Sequence, residues 1–330
     1  MFHPEFIIHK NVDWKKLSKN PNAIPILERN LDKVDWWSLS INPNAIHILE
    51  KNLEKKIDWN NLSSNPNAIP IIEKNLDKIS WEYLSSNPNA IPLLKKNMHK
   101  IEWGFLSENP NAISLLEQNW NKIDWLSLSY NPNSIPLFEK YLEDNDDDED
   151  DEDDDVIIDW SELSSNPNAI PILERNLDKV DWKELSYNPN AISLLERNFD
   201  KVDWNYLSMN PNAIPILERN LDKVDWNYLS INPNAFPLLE KNLDKVDWYH
   251  LSMNRNAISL LERNLNKVNW NNLSENPNAI HLVARLNKQK MRKNCREFAQ
   301  ELAEYVFHPK RLMRLCKMYK LDLEEYFDLV

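Results

Sequence analysis

Tryptophan recurs at Trp14, Trp36, Trp59, Trp81, Trp103, Trp125, Trp160, Trp182, Trp204, Trp226, Trp248 and Trp270, each time inside a variant of D-W-x-x-L-S-x-N-P-N-A-I-P-I-L-E-K-N-L-D-K-V. Nearly every step is 22 residues. A unit that short cannot enclose a core of its own, so it must bury its apolar face on its neighbours, which dictates a stack of like units instead of one globule. Two steps differ: 23 residues from Trp36 to Trp59, where Lys55 and Lys56 carry an extra residue, and 35 from Trp125 to Trp160, where 13 residues follow Tyr141 and Leu142.

Glycine is almost absent, Gly104 being the single copy, although each unit must turn twice. Asparagine is therefore expected to supply the unusual backbone positions. In the first unit Asn22 is placed as the cap of a helix over 23–29, with Pro25 in its first turn and Asn30 left-handed at its end. Asp35 should cap a shorter helix over 36–40, which must end at Asn42 because a residue before proline avoids helical geometry. Helices this short are marginal alone, so stacking through Trp36, Leu39, Ile46, Leu49, Leu53 and their equivalents must hold them, with the indoles sealed between layers. The reading is an all-α solenoid of twelve short helix-turn-helix repeats, one helix short enough to be 3₁₀. At about 8–10 Å per layer it forms a curved rod on the order of 100 Å long. Residues 14–142 and 157–282 carry the repeats, 143–156 a disordered acidic loop, and 1–13 and 283–330 helical caps covering the two open ends.

The net charge of −13 is unevenly spread. Glu143 to Asp155 holds 12 acids and no base, whereas 284–330 carries a surplus of +4, leaving the repeats mildly acidic. The acidic run self-repels and cannot bury apolar area, which predicts a solvated loop, open to a basic partner. No apolar run is long enough to cross a membrane, and Met1 to Val12 lacks the pattern of a signal peptide. The expectation is an intracellular, unsecreted protein. Cys295 and Cys316 lie at no metal-type spacing and read as buried thiols.

The motif NPNAIPILERNLDKVDW resembles the tandem repeats of uncharacterised proteins of giant DNA viruses of the mimivirus type, over the whole array. The closing stretch ELAEYVFHPKRLMRLCKMYKLDLEEYFDLV is similar to a C-terminal module found in such proteins. The resemblance implies a host-cytoplasm, viral-factory or virion setting, and brings no activity or functional residue with it. Arg255 in place of proline, Ser134 for alanine and Tyr141 for asparagine depart from the pattern. Arg255 puts the turn of the eleventh unit in question.

Comparison among units separates fixed columns from free ones. The freest are the two residues after each tryptophan and the one before each Asn-Pro. They hold Tyr83, Phe105, Tyr130, Tyr187, Tyr206, Tyr228, Tyr249 and His250, a candidate interaction surface, since aromatics are enriched where proteins meet. The alternative is that these rings pack on the adjacent layer. A second candidate is the basic face of Arg285, Lys288, Arg292 and Arg296, spaced as on one helix, with Lys290 and Lys293 beside it. Beyond it, Pro309 should start a further helix, and Asp322 with Glu325 reads as a capping box.

The seven histidines are scattered, His47 and His281 falling near opposite ends of the array. No zinc spacing, phosphate-cradling loop or nucleophile elbow is present. No cofactor, metal or catalytic residue is expected. The reading is a non-enzymatic scaffold for a viral or host protein partner. The alternatives are a repeat-based RNA reader, which the acidic array disfavours, and a structural virion component.

Overall fold

The computed structural model describes residues 6–144, 158–306 and 308–319. The acidic run from Asn145 to Asp155 and the Asp322–Glu325 capping box lie outside the described residues. The chain divides into two compact units, Lys10–Val283 and Met1–His9 with Ala284–Val330.

The larger unit is an all-α array of twelve repeats. In the second repeat, Trp36–Ile41 forms the first helix and Ile46–Glu50 the second. The Asp35 carboxylate accepts the Ser38 N–H at 2.8 Å, and Asn42 leaves the helix with φ −68° and ψ 115°, as the following proline requires.

Two expectations about asparagine are corrected. The first asparagine of the turn makes the cap, not the second: Asn20 Oδ1 accepts the Asn22 N–H at 3.0 Å. A 3₁₀ turn, Pro21–Ala23, then precedes the helix Ile24–Leu27, so Pro25 falls within its first two residues and costs no hydrogen bond. The asparagine closing the second helix is not left-handed either, with φ −132° and ψ 43° at Asn97 and φ −130° and ψ 51° at Asn176. Its side chain does the work, the amide of Asn97 donating to the Leu93 carbonyl and that of Asn176 to the Ile172 carbonyl, each at 2.9 Å. The array dispenses with glycine because side-chain amides satisfy helix ends that glycine elsewhere satisfies by backbone geometry.

Leu39, Ala45, Ile48, Leu49 and their equivalents are buried, but so are Ser40 and Asn42 and theirs. Ser40 Oγ donates to the Trp36 carbonyl at 2.8 Å and accepts the Asp58 N–H of the next unit at 3.2 Å. Asn42 Nδ2 donates backwards to the carbonyls of Ser18 and Asn20, at 2.9 and 3.0 Å. Asn44 Nδ2 reaches the Pro21 carbonyl at 3.0 Å. The recurring L-S-x-N-P-N is thus a polar ladder in which each unit donates to the preceding one.

The ladder has no end. Asp13 N donates to Ser274 Oγ at 3.0 Å, Asn20 Nδ2 to the carbonyls of Ser274 and Asn276 at 3.1 Å, and Asn22 Nδ2 to the Pro277 carbonyl at 2.9 Å. These are the bonds found at the other junctions; the one across the insertion keeps Asp159 N on Ser129 Oγ at 3.0 Å, Asn166 Nδ2 on the Asn131 carbonyl at 3.3 Å and Asn168 Nδ2 on the Pro132 carbonyl at 2.9 Å. The twelve units form a closed ring, not a rod. The solenoid reading stands, but the array has no open end for a terminal module to cover. His47 and His281, read as near opposite ends, flank unit one, and each meets the glutamate of the preceding unit: Glu28 at 2.6 Å and Glu262 at 2.7 Å.

The departures from the motif are accommodated for stated reasons. At Arg255 the turn persists, because Asn256 N still meets Asn254 Oδ1 at 3.0 Å and the ladder uses only the Arg255 carbonyl, which accepts from Asn278 Nδ2 at 2.9 Å. The buried Ser134 hydroxyl finds the Asn131 carbonyl at 2.7 Å.

In the smaller unit, strand β1 (Phe6–Ile8) pairs antiparallel with β2 (Ala284–Leu286), Ile7 opposite Arg285. The caps over 1–13 and 283–330, expected to be helical, therefore each include a strand. Helices Lys288–Val306 and Pro309–Tyr319 follow, the latter starting at Pro309 as expected. No described helix is long and apolar enough to cross a membrane.

Candidate interaction surface

In a closed ring the layer whose members lie closer together is the inner one. The tryptophan helices of most successive units pack directly on each other, Trp14–Lys19 against Trp270–Glu275 included, while neighbouring second helices do not pack so closely. The tryptophan helices therefore line the opening. With axes about 8–10 Å apart, twelve such helices leave an opening of roughly 20–25 Å once side chains are allowed for.

On each inner helix the fourth residue, as at Leu39, points into the core, so the positions one and five after tryptophan turn away from it, toward the opening, while position two lies to the side, buried at Ser38 and Asn272 and half-buried at most others. These are the free columns. Tyr130 and Tyr249 are 52% and 54% exposed, and Tyr83 and Tyr187 are also exposed. Phe105, Tyr206, Tyr228 and His250 are half-buried. Rings of consecutive units meet, Tyr83 with Phe105 at 5.9 Å and Tyr206 with Tyr228 at 6.4 Å between centroids, and Tyr249 meets His250 at 5.2 Å. Some of these rings are thus exposed and others pack on the adjacent unit. Exposed Trp37, Ile41, Leu126 and Met253 extend the surface; they occupy the same columns and were legible there.

The tryptophans that set the period are not sealed. Each is half-buried, and nine of the twelve have one face roofed by the lysine of the following D-K-V or its equivalent. Lys201 lies 4.5 Å from the Trp182 ring centre, Lys100 and Lys122 lie 4.6 Å from Trp81 and Trp103, and Lys33, Lys78, Lys179, Lys223, Lys245 and Lys267 repeat the pattern. The repeated lysine, to which sequence reasoning gave no role, is a cation–π roof. At Trp125, beside the insertion, Trp120, Phe138 and Tyr141 surround the indole instead, at 5.1, 5.8 and 4.6 Å.

The three free columns carry Lys15, Lys16, Lys19 and Lys183 against Glu82, Glu108, Glu162, Glu184 and Glu275. Lys16 Nζ is tied to Asn272 Oδ1 at 2.7 Å, and Lys15 and Lys19 lie over Trp37. Burial pushes the Glu108 and Glu162 carboxyls up, helped at Glu108 by Asp124 and at Glu162 by Asp159 and Glu184. The Tyr130 hydroxyl is raised by Glu162 first, then by burial, Asp159 and Glu108. Lys183 is held more firmly charged by the Tyr206 hydroxyl.

The basic face expected at Arg285, Lys288, Arg292 and Arg296 is divided. Arg285 lies on β2, while Lys288, Arg292 and Arg296, all exposed, follow on the 288–306 helix at spacings that share one side. Among the described residues no group of acids, histidines and cysteines could hold a metal ion.

The fold defines a class, a ring of short all-α repeats with a variable inner face. No family model, no curated protein and no solved structure matches this chain.

Proposed function

We propose that this protein is a non-enzymatic scaffold that holds a protein partner on the inner face of its repeat ring. The observation carrying the reading is that sequence variation among units concentrates on the side chains facing the opening, several of them exposed aromatics, while core and ladder positions barely vary. A surface that is both variable and aromatic on a rigid repeat frame is what selective protein recognition uses. The resemblance to giant-virus repeat proteins makes the partner a viral or host protein. The near balance of charge on the inner columns disfavours a duplex or single strand of nucleic acid, whose phosphates demand a basic lining.

The test is affinity purification of the full chain from cells that produce it, followed by mass spectrometry, beside a Tyr130→Ser, Tyr187→Ser, Tyr249→Ser variant. Loss of a specific partner with an unchanged circular-dichroism melt is expected. Retention of all partners by the variant overturns the reading. Retention of RNA on a filter at low salt would favour the RNA reader instead.

A further inference from the structure

One of the twelve junctions departs from the common set of ladder bonds. At the other eleven, the first asparagine of the turn donates from Nδ2 to two carbonyls of the preceding unit, and its bond to the asparagine carbonyl measures 2.8–3.2 Å. Between units six and seven, among the described residues, Asn166 Nδ2 makes a single ladder bond, to the Asn131 carbonyl at 3.3 Å, and none to the Ser129 carbonyl. Asn166 is also 6% exposed, where the other eleven are 3% or less.

The cause is one hydroxyl. Eleven units carry alanine after the second asparagine of the turn; unit six carries Ser134. The Ser134 hydroxyl donates to the Asn131 carbonyl at 2.7 Å, and the Ser134 N–H donates to the same oxygen at 3.1 Å. A carbonyl oxygen offers two lone pairs. Elsewhere they serve the alanine N–H and the asparagine of the next unit; here the hydroxyl takes one, and Asn166 is left with a third, lengthened bond.

Two further features mark this junction. A cavity of about 180 Å³ opens at it, lined by Glu139, Leu142 and Glu143 on one side and Arg175 and Asn176 on the other. The first helices Trp125–Leu128 and Trp160–Ser165 pack less closely than at ten of the twelve junctions. The other loose pair, between units eleven and twelve, keeps both Asn276 bonds and adds one from Asn272 Nδ2 to the Tyr249 carbonyl at 3.0 Å. The closing junction is the opposite case. Its ladder is complete, Lys16 Nζ meets Asn272 Oδ1 at 2.7 Å, and Asn271 Nδ2 meets Asp13 Oδ2 at 2.5 Å.

We propose that the ring parts between units six and seven, half-way round from the junction that closes it, and that Ser134 sets how readily it does so. Leu128, Phe138, Leu163 and Leu173 stay buried there, so the shut form dominates and parting is an excursion from it. Besides the Asn166 bond, parting releases Asn168 Nδ2 from the Pro132 carbonyl, Asp159 N from Ser129 Oγ, and the exposed Arg175–Glu139 ion pair. It gives the inner face a side entrance. A polypeptide with no free end, or with folded parts wider than an opening of roughly 20–25 Å, enters only this way. The ladder alone carries this reading, whatever partner the inner face holds.

The experiment is hydrogen exchange of the full-length chain, read at amides that bond across junctions: Asp159 at the seam, Asp13 at the closing junction and Asp181 at the next one. Asp159 is expected to exchange about tenfold or more faster than the other two. Ser134→Ala, which restores the residue of the eleven other units, should slow Asp159 by roughly fivefold, the worth of one regained hydrogen bond, and leave Asp13 and Asp181 unchanged. This variant separates parting of the junction from the mere position of Asp159 close to the insertion. Equal protection at the three amides overturns the proposal, as does a Ser134→Ala protein in which Asp159 exchanges at the same rate or faster. Capture of a partner through Tyr130, Tyr187 and Tyr249 is unaffected by either result, so the scaffold reading stands or falls separately.

Discussion

Asn20 and Asn276 stand 256 residues apart in the chain and one hydrogen bond apart in space, the Asn20 side-chain amide donating to the Asn276 carbonyl at 3.1 Å. The bond repeats the one from Asn42 to Asn20 at 3.0 Å. The junction that closes the ring is chemically the same as those inside it. Each unit donates to the one before, so the ring is a head-to-tail cycle within a single chain, the intramolecular counterpart of a heterologous interface whose rotation closes.

Closure makes a prediction that an open rod does not. Replacing Asn20 by Ala strips a buried junction of two donated bonds and the turn cap, as Asn42→Ala does, and each variant should lose about 2–3 kcal/mol. In an open array Asn20 would face solvent and its loss would be close to neutral. Chemical denaturation of the two variants side by side decides the matter, and a silent Asn20→Ala would mean that the ring is open.

Lys201 closes the unit that Trp182 opens and roofs its indole. Lys201→Ala should cost roughly 0.5–1 kcal/mol, the range of a partly exposed cation–π contact. Lys201→Arg should retain most of it, because a guanidinium also stacks on an indole. Equal losses in the two variants, read from thermal melts, would reduce the lysine to an ordinary surface charge.

Gly104 lies within the helix Trp103–Ser107, and a Cβ there would meet Ser127 Oγ at 3.8 Å, an ordinary contact. Nothing in the backbone requires glycine. Gly104→Ala is expected to stabilise the fold by about 0.5–1 kcal/mol through helix propensity and reduced freedom of the unfolded chain. A lowered melting temperature would show that the position cannot take even a methyl group.

Burial, Asp159 and Glu184 raise the Glu162 carboxyl, so the folded protein holds that proton more tightly than the unfolded chain does. Its contribution to stability therefore falls as the pH rises from the ordinary carboxylate range, about 4.3, through the raised folded value, and stays unfavourable at neutral pH. Glu162→Gln should raise the melting temperature at pH 7 and leave it nearly unchanged at pH 4. Melts at the two pH values check this; a drop at pH 7 would mean that the carboxylate is stabilising.

Much of this protein was legible in its residues. The tryptophan period, the caps at Asp35 and its equivalents, and the stop at each Asn-Pro are local, decided within a few residues by hydrogen-bond needs and proline sterics. The free columns were visible by comparing units, and helix periodicity places them on one face. What the sequence left open was non-local. Whether Asn30 turns left-handed depends on whether its amide can reach a carbonyl four residues back, and the roof of Lys201 over Trp182 appears only when the end of a unit folds back over its start. Closure is the furthest from the residues. It depends on the small difference in spacing between two helix layers, summed over twelve junctions until the last unit meets the first. No single unit encodes that angle; the packing of all of them set it, and by closing the ring it put the variable side chains around an opening.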